Sequence, residues 1–153
     1  MSSRLFLEVR ERRGLAYYVH GMNHSYTDAG SLLAQAGVDI NRIDEAIKVI
    51  VEQFKRMADE EVPSDELEKS RSMVKGRFVL RTESPQGLIM YGLNREVLEG
   101  RVLEPEELLE QIDSVTAEDI QRVAQDLISR ENLNLAVIGP FDDDERFLNA
   151  LDA

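Results

Sequence analysis

The stretch LFLEVRERRGLAYYVHG, residues 5–21, decides how the chain begins to fold. Its first half repeats apolar residues at helical spacing, with Leu5, Phe6 and Val9 on one side. Gly14 ends this pattern, because glycine readily adopts the left-handed conformation that closes a helix. The residues that follow are rich in tyrosine and valine, which favour strands. The stretch therefore predicts a helix, a glycine stop and a strand in immediate succession.

The residues on either side of this stretch complete a β-hairpin. Ser2 and Ser3 are suited to cap the first helix. The first strand is predicted over residues 16–25, and YTDAG (26–30) is typical of a turn because aspartate and glycine tolerate turn dihedrals. SLLAQAGV (31–38) then predicts the second strand. We expect the two strands to pair with each other.

The clearest periodic signal is an amphipathic helix that follows the hairpin. Asp39 precedes it as a cap, and its apolar face is predicted to contain six residues: Ile43, Ala46, Ile47, Ile50, Phe54 and Met57. Further helices are expected from Pro63, between Pro85 and Gly100, and around Leu108.

The last third of the chain predicts one more helix, one more strand and a short acidic helix. Thr116 and Asp119 form a variant of the capping box at the start of the helix. LNLAVIGP (133–140) is a nearly continuous apolar run, which predicts a buried strand. Hairpin, helices and a third strand give the α+β class. We expect a single domain over residues 1–153 that is incomplete at its N-terminus, since three strands make a thin sheet.

Composition excludes several classes of function. The formal net charge of -12, from 30 acidic and 18 basic residues, argues against nucleic-acid binding, which depends on clustered lysine and arginine. The chain has no cysteine, so disulfides and thiolate metal sites are absent. No apolar run approaches the ~20 residues that span a bilayer. With no targeting signal in the chain as given, we expect a cytoplasmic location and no membrane partner.

Six segments together resemble the C-terminal domain of the insulinase and mitochondrial-processing-peptidase family, the pitrilysin family of zinc metallopeptidases. In chain order they are MSSRLFLEVRERRGLAYYVHG, AGVD, VPSDELEKSRSMVKG, ESPQGLIMYG, GRVLEPEELLEQIDSVTAEDIQRVAQDLI and NLNLAVIGP. The resemblance covers nearly the whole chain. It implies a ferredoxin-like α+β domain, with helices packed on a mostly antiparallel sheet, and hydrolysis of peptides or presequences.

The resemblance also implies two site residues. In the family an arginine and a tyrosine seven positions apart bind the substrate backbone near the scissile carbonyl, and here they fall on Arg10 and Tyr17. The family's zinc motif, His-x-x-Glu-His, is absent from this chain. We therefore expect no metal here, and zinc in an N-terminal domain or a partner subunit. Alone, the chain is expected to hydrolyse nothing.

Each candidate has a simpler interpretation. Taken without the resemblance, Arg10 and Tyr17 are a solvated arginine and a half-buried strand tyrosine. Arg12 and Arg13 fit a solvated helix end, where cations are favourable. His20 and His24 have metal-binding spacing on a helix, but on a strand they lie about 13 Å apart, too far to share one ion.

Two interpretations of function remain open at this point. The first is a substrate-binding domain of a zinc metalloendopeptidase, with a peptide substrate and a zinc-bearing partner. The second is a non-catalytic scaffold or interaction module of the same fold, since fold alone does not fix function. In either case we expect the isolated chain to self-associate, because an incomplete sheet leaves an edge and an apolar face uncovered.

Overall fold

The computed structural model describes residues 3–142 and 145–151, so Ser2 lies outside the described residues. The chain is α+β, as predicted. The described residues contain two strands, β1 (Ala16–Ser25) and β2 (Gly30–Val38). A short π-helix precedes them, and six α-helices follow: α1 (Ile43–Asp59), α2 (Ser64–Thr82), α3 (Pro85–Glu99), α4 (Pro105–Ser114), α5 (Ala117–Leu127) and α6 (Glu145–Leu151). None of the described helices is long and apolar enough to cross a bilayer.

The chain divides into two compact units. The first takes in the chain up to Glu60 together with everything from Arg122 onward, and the second is Glu61–Gln121. The first unit contains the hairpin. Its antiparallel register runs from Ala16 opposite Val38 to Ser25 opposite Gly30, which confirms the predicted pairing.

Helix α1 organises the core of the first unit. Asp39 accepts a hydrogen bond from the Asn41 backbone N–H at 2.9 Å, so the predicted cap is confirmed at the 3₁₀ turn Ile40–Arg42 that leads into α1. One side of α1 packs on the π-helix and β1, and a second side packs on α6. The two buried clusters are Val9, Leu15, Ala16, Val19, Ala46 and Val49, and then Ile43, Ile47, Val51, Phe147, Ala150 and Leu151.

The predicted third strand is wrong. Residues 133–140 have no regular secondary structure, and Ile138 is fully exposed. Within the described residues the sheet has two strands only, β1 and β2. A strand exists only where a neighbour completes its ladder of hydrogen bonds. The apolar run 133–140 therefore has strand-like composition without a strand to pair with.

The second unit is built from helices. The Phe78 ring of α2 meets the Tyr91 ring of α3 edge to face at 5.2 Å between centroids. The Tyr91 hydroxyl donates to the Leu103 carbonyl at 2.9 Å. Thr116 and Asp119 exchange hydrogen bonds, each backbone N–H to the other's side chain at 3.1 Å, which confirms the predicted capping box. These contacts join α2 to α3, hold α3 against the segment before α4, and fix the start of α5.

Candidate functional site

Arg10 lies at the end of the π-helix Phe6–Glu11, where the helix is locked to β1. Val9 and Leu15 are the two most deeply buried large side chains, and the Leu15 N–H donates to the Val9 carbonyl at 2.8 Å. Between them Gly14 has a φ of 59° and donates its N–H to the Arg10 carbonyl at 3.0 Å. The chain reverses tightly here. The positions of Arg10 and of the start of β1 are therefore fixed relative to each other.

Tyr17 occupies a β-bulge at the start of β1. Ala16 lies opposite Val38 and Tyr18 lies opposite Gly37, so Tyr17 is the additional residue with no partner of its own. A bulge turns the side chain of the additional residue away from the regular alternation of the strand. Tyr17 is 84% exposed as a result.

The structure brings Arg10 and Tyr17 together. The Arg10 guanidinium carbon lies 5.8 Å from the centroid of the Tyr17 ring and 5.1 Å from that of the Phe6 ring. Among the described residues, neither the guanidinium nor the Tyr17 hydroxyl takes part in a hydrogen bond or an ion pair. Up to five N–H groups and one O–H group are therefore available to a ligand on one side of the unit.

Arg12 and Arg13 differ from Arg10 because Glu8 binds both of them. Arg12 donates to one carboxylate oxygen of Glu8, and Arg13 donates to the other and to the Glu8 carbonyl. The hydrogen bond from Arg13, with the charges of Arg12, Arg13 and Arg56, holds the pKa of Glu8 below its ordinary value, although partial burial opposes the shift. Two of the three arginines around Gly14 thus have an internal acidic partner.

Tyr18, His20 and His24 do not form a metal site. His20 and His24 lie on β1, as the strand prediction required, and both are exposed. The Tyr18 ring stacks on the His20 ring at 5.6 Å between centroids and covers Gly37, where a Cβ atom would lie 2.5 Å from the ring. No group of three histidine, aspartate or glutamate side chains in the described part of the chain is arranged to hold a metal ion. The described residues therefore do not fit a zinc site.

Sequence reasoning missed two residues of this site. The Phe6 ring lies against the Arg10 guanidinium, and Glu8 forms ion pairs with Arg12 and Arg13. The spacing contained a signal for both, because Phe6 precedes Arg10 by four positions and Glu8 precedes Arg12 by four. The bulge at Tyr17 had no local signal, since it depends on the register with β2.

Comparison with known proteins finds a peptidase family model and relatives described as zinc proteases. The model of the peptidase M16 inactive domain matches residues 1–74. A protein of Streptomyces coelicolor described as an uncharacterized zinc protease is 33% identical over 143 residues, which are 94% of this chain and 31% of that protein. An uncharacterized zinc protease of Bacillus subtilis is 33% identical over 140 residues, 92% of this chain and 34% of that protein. The chain thus spans about a third of the length of these relatives.

The fold is also similar to that of a solved structure. A chain of complex III2 from Candida albicans, with Inz-5 bound, superposes with a TM-score of 0.73. The match covers 82% of this chain and 30% of the other, at 16% sequence identity. At that identity the likeness concerns the fold alone.

Proposed function

The chain belongs to the peptidase M16 family, and from this premise we propose that it is a non-catalytic, substrate-binding domain of a zinc metalloendopeptidase. Arg10 and Tyr17 are the residues that would bind the substrate. The observation that supports this role is the pairing of their side chains on one side of the first unit, with donors that no described residue occupies. The zinc ion, the attacking water and the general base would come from another domain or a partner subunit.

The proposed role follows from the chemistry of peptide hydrolysis. Attack on the scissile carbonyl places negative charge on its oxygen, and donors fixed in advance at that position lower the barrier. A guanidinium and a phenol hydroxyl are both strong hydrogen-bond donors. Because the Val9–Leu15 contact fixes the π-helix against β1, little reorganisation is needed when substrate arrives.

The magnitude expected for each donor is large enough to measure. Removal of one oxyanion donor in other enzymes costs about 2.7–4 kcal/mol, or about 100- to 1,000-fold in kcat. If the Arg10–Tyr17 contact were only structural, an exposed cation–π pair would contribute about 0.5–1 kcal/mol to folding and nothing to turnover. Measurements of turnover and of folding stability therefore distinguish a substrate-binding role from a purely structural one.

The test combines this chain with a zinc-bearing M16 chain and measures the turnover of an unfolded peptide. We expect Arg10→Ala and Tyr17→Phe each to reduce kcat by about 100-fold or more, with the unfolding midpoint nearly unchanged. Tyr26→Phe is the matched control, because Tyr26 is also exposed but lies in the hairpin turn. Equal turnover in native protein and both site variants would remove the proposed role.

A non-catalytic scaffold is the second candidate, favoured by the description of the matching family model as an inactive domain. Under this function, the site variants leave turnover unchanged while the chain still assembles with its partner. On either function the isolated chain hydrolyses nothing, and zinc-dependent cleavage by pure protein would contradict both. The cytoplasmic location stays a prediction.

We also propose that the isolated chain self-associates. Helix α3 has no buried residue, and five of its large apolar side chains are more than two-fifths exposed: Leu88, Ile89, Leu93, Val97 and Leu98. Apolar patches of this kind favour association. Sedimentation velocity over a range of concentrations measures the effect, and a clean monomer at high concentration would contradict it.

A further inference from the structure

The Arg10 guanidinium lies near two aromatic rings that differ in how firmly they are held. Phe6 is half-buried and packs against the buried cluster that contains Val9 and Leu15, whereas Tyr17 is exposed. The guanidinium carbon is 5.1 Å from the centroid of the Phe6 ring and 5.8 Å from that of the Tyr17 ring. Both distances lie within the ~6 Å at which a ring face attracts a cation. Of the two rings, the one that the core holds in place is that of Phe6.

The Arg10 side chain needs such a support if it is to bind a substrate in a defined position. Arg10 is exposed, and an exposed arginine has many side-chain conformations of similar energy. A donor that is spread over many conformations stabilises a developing charge less than one that is held where the charge appears. A contact that restricts Arg10 would therefore increase its effect on turnover.

An aromatic ring can restrict an arginine without using its hydrogen-bond donors. A carboxylate partner would occupy N–H groups that a substrate needs. Glu8 is only two positions from Arg10, but its two carboxylate oxygens accept from Arg12 and Arg13. The Phe6 ring attracts the positive charge through its face, so the N–H groups of Arg10 stay available to a ligand.

We propose that Phe6 is a positioning residue, which holds the Arg10 guanidinium in place for the substrate carbonyl. Phe6 precedes Arg10 by four positions in the π-helix, so the two side chains lie on neighbouring parts of the helix surface. The buried cluster fixes the Phe6 ring, and the ring fixes the cation. Because Phe6 acts through Arg10, this inference rests on the substrate-binding role proposed above.

The first test measures turnover in the assay with a zinc-bearing M16 chain. Phe6→Leu removes the ring but keeps most of the apolar volume. A cation–π contact at an exposed site corresponds to about a two- to fivefold preference for the held orientation. We therefore expect Phe6→Leu to lower kcat by about two- to fivefold with little change in KM, and Phe6→Tyr, which keeps the ring, to retain native turnover.

Two controls separate positioning from a general effect on folding. Phe54 is also half-buried in the first unit, and no described arginine lies over its ring, so Phe54→Leu should leave kcat unchanged. In an Arg10→Ala background, Phe6→Leu should lower kcat no further, because its effect passes through the guanidinium that is already absent.

The second test uses this chain alone and follows the side-chain N–H resonance of Arg10 by NMR. Ring currents displace the resonance of a group that lies over an aromatic face. We expect Phe6→Leu to move the Arg10 resonance toward the position of a solvated arginine, and Phe54→Leu to leave it in place. An Arg10 resonance that Phe6→Leu does not move would overturn the inference.

The outcomes also distinguish this inference from the proposed function. Native turnover in Phe6→Leu, with reduced turnover in Arg10→Ala, overturns the positioning role and leaves the role of Arg10 intact. A loss of kcat that Phe6→Leu still causes in the Arg10→Ala background overturns it as well, since Phe6 would then act independently of Arg10. Native turnover in Arg10→Ala overturns the proposed function and this inference with it.

Discussion

Glu8 determines which of the arginines around Gly14 is open to a ligand, and its replacement by glutamine tests that arrangement. The Glu8 side chain is 13% exposed and binds Arg12 and Arg13, one on each carboxylate oxygen. Glutamine has nearly the same size, but it has no charge and only one acceptor oxygen. The substitution therefore removes the ion pairs without opening a cavity.

The two contacts have different magnitudes because the arginines differ in exposure. Arg12 is 67% exposed and four residues away, so its pair contributes about 0.3–0.5 kcal/mol. Arg13 is 34% exposed, and its bond to a charged and nearly buried acceptor contributes about 1 kcal/mol after allowance for solvent. We expect Glu8→Gln to lower the free energy of unfolding by about 1–1.5 kcal/mol near neutral pH.

The effect should depend on pH with a definite sign. The folded-state pKa of Glu8 lies below its ordinary value of 4.5, chiefly through the hydrogen bond from Arg13. A depressed carboxyl pKa stabilises the fold above the unfolded-state value, and this stabilisation is lost as pH falls through the folded-state value. The difference between native protein and Glu8→Gln should therefore be constant near neutrality and shrink below pH 4.5.

Urea unfolding from about pH 7 to about pH 3 measures the effect. Glu11→Gln is the control on the same π-helix, since Glu11 is exposed and has no described partner, and it should change stability by less than about 0.5 kcal/mol. A difference for Glu8→Gln that stays constant down to the lowest pH would refute the assignment of its charge to the two arginines.

Two further predictions concern packing. A Cβ atom on Gly87 would lie 1.8 Å from the Arg81 carbonyl oxygen, so Gly87→Ala should destabilise the protein by about 1–3 kcal/mol in thermal unfolding. A Cβ atom on Gly92, in the same helix, would meet no surrounding atom within 4 Å, so Gly92→Ala should instead stabilise the protein by about 0.5–1 kcal/mol. Stability changes of the same sign in the two variants would contradict the geometry. Leu15 is 1% exposed, and Leu15→Ala should lower the free energy of unfolding by about 2–5 kcal/mol in urea, whereas a loss below 1 kcal/mol would mean that the helix–strand contact is not central.

Elements defined by local chemistry could be predicted from the sequence. The bounds of β1, the Asp39 cap and the Thr116–Asp119 box all depend on residues within a few positions of one another. Gly100 ends α3 in the left-handed conformation with a φ of 68°, which its lack of a side chain allows. In each case the deciding interaction is contained in a short window of sequence.

The structure of the apolar run 133–140 could not be predicted from local sequence alone. Its composition suits a strand, but pairing is a property of two segments, and the described chain offers no second segment at that place.

The site, too, combines contacts between sequence neighbours with contacts that form only when the chain folds. Three arginines around Gly14 have the same side-chain chemistry in the sequence, and the resemblance singled out Arg10. The physical difference is the position of Glu8. Its spacing in the sequence predicts a contact with Arg12, whereas its contact with Arg13 is seen only in the folded end of the helix. Tyr17 reaches Arg10 because the register with β2 places a bulge there, and register is set across two strands. Arg10 and Tyr17 thus meet through contacts that only the folded first unit contains.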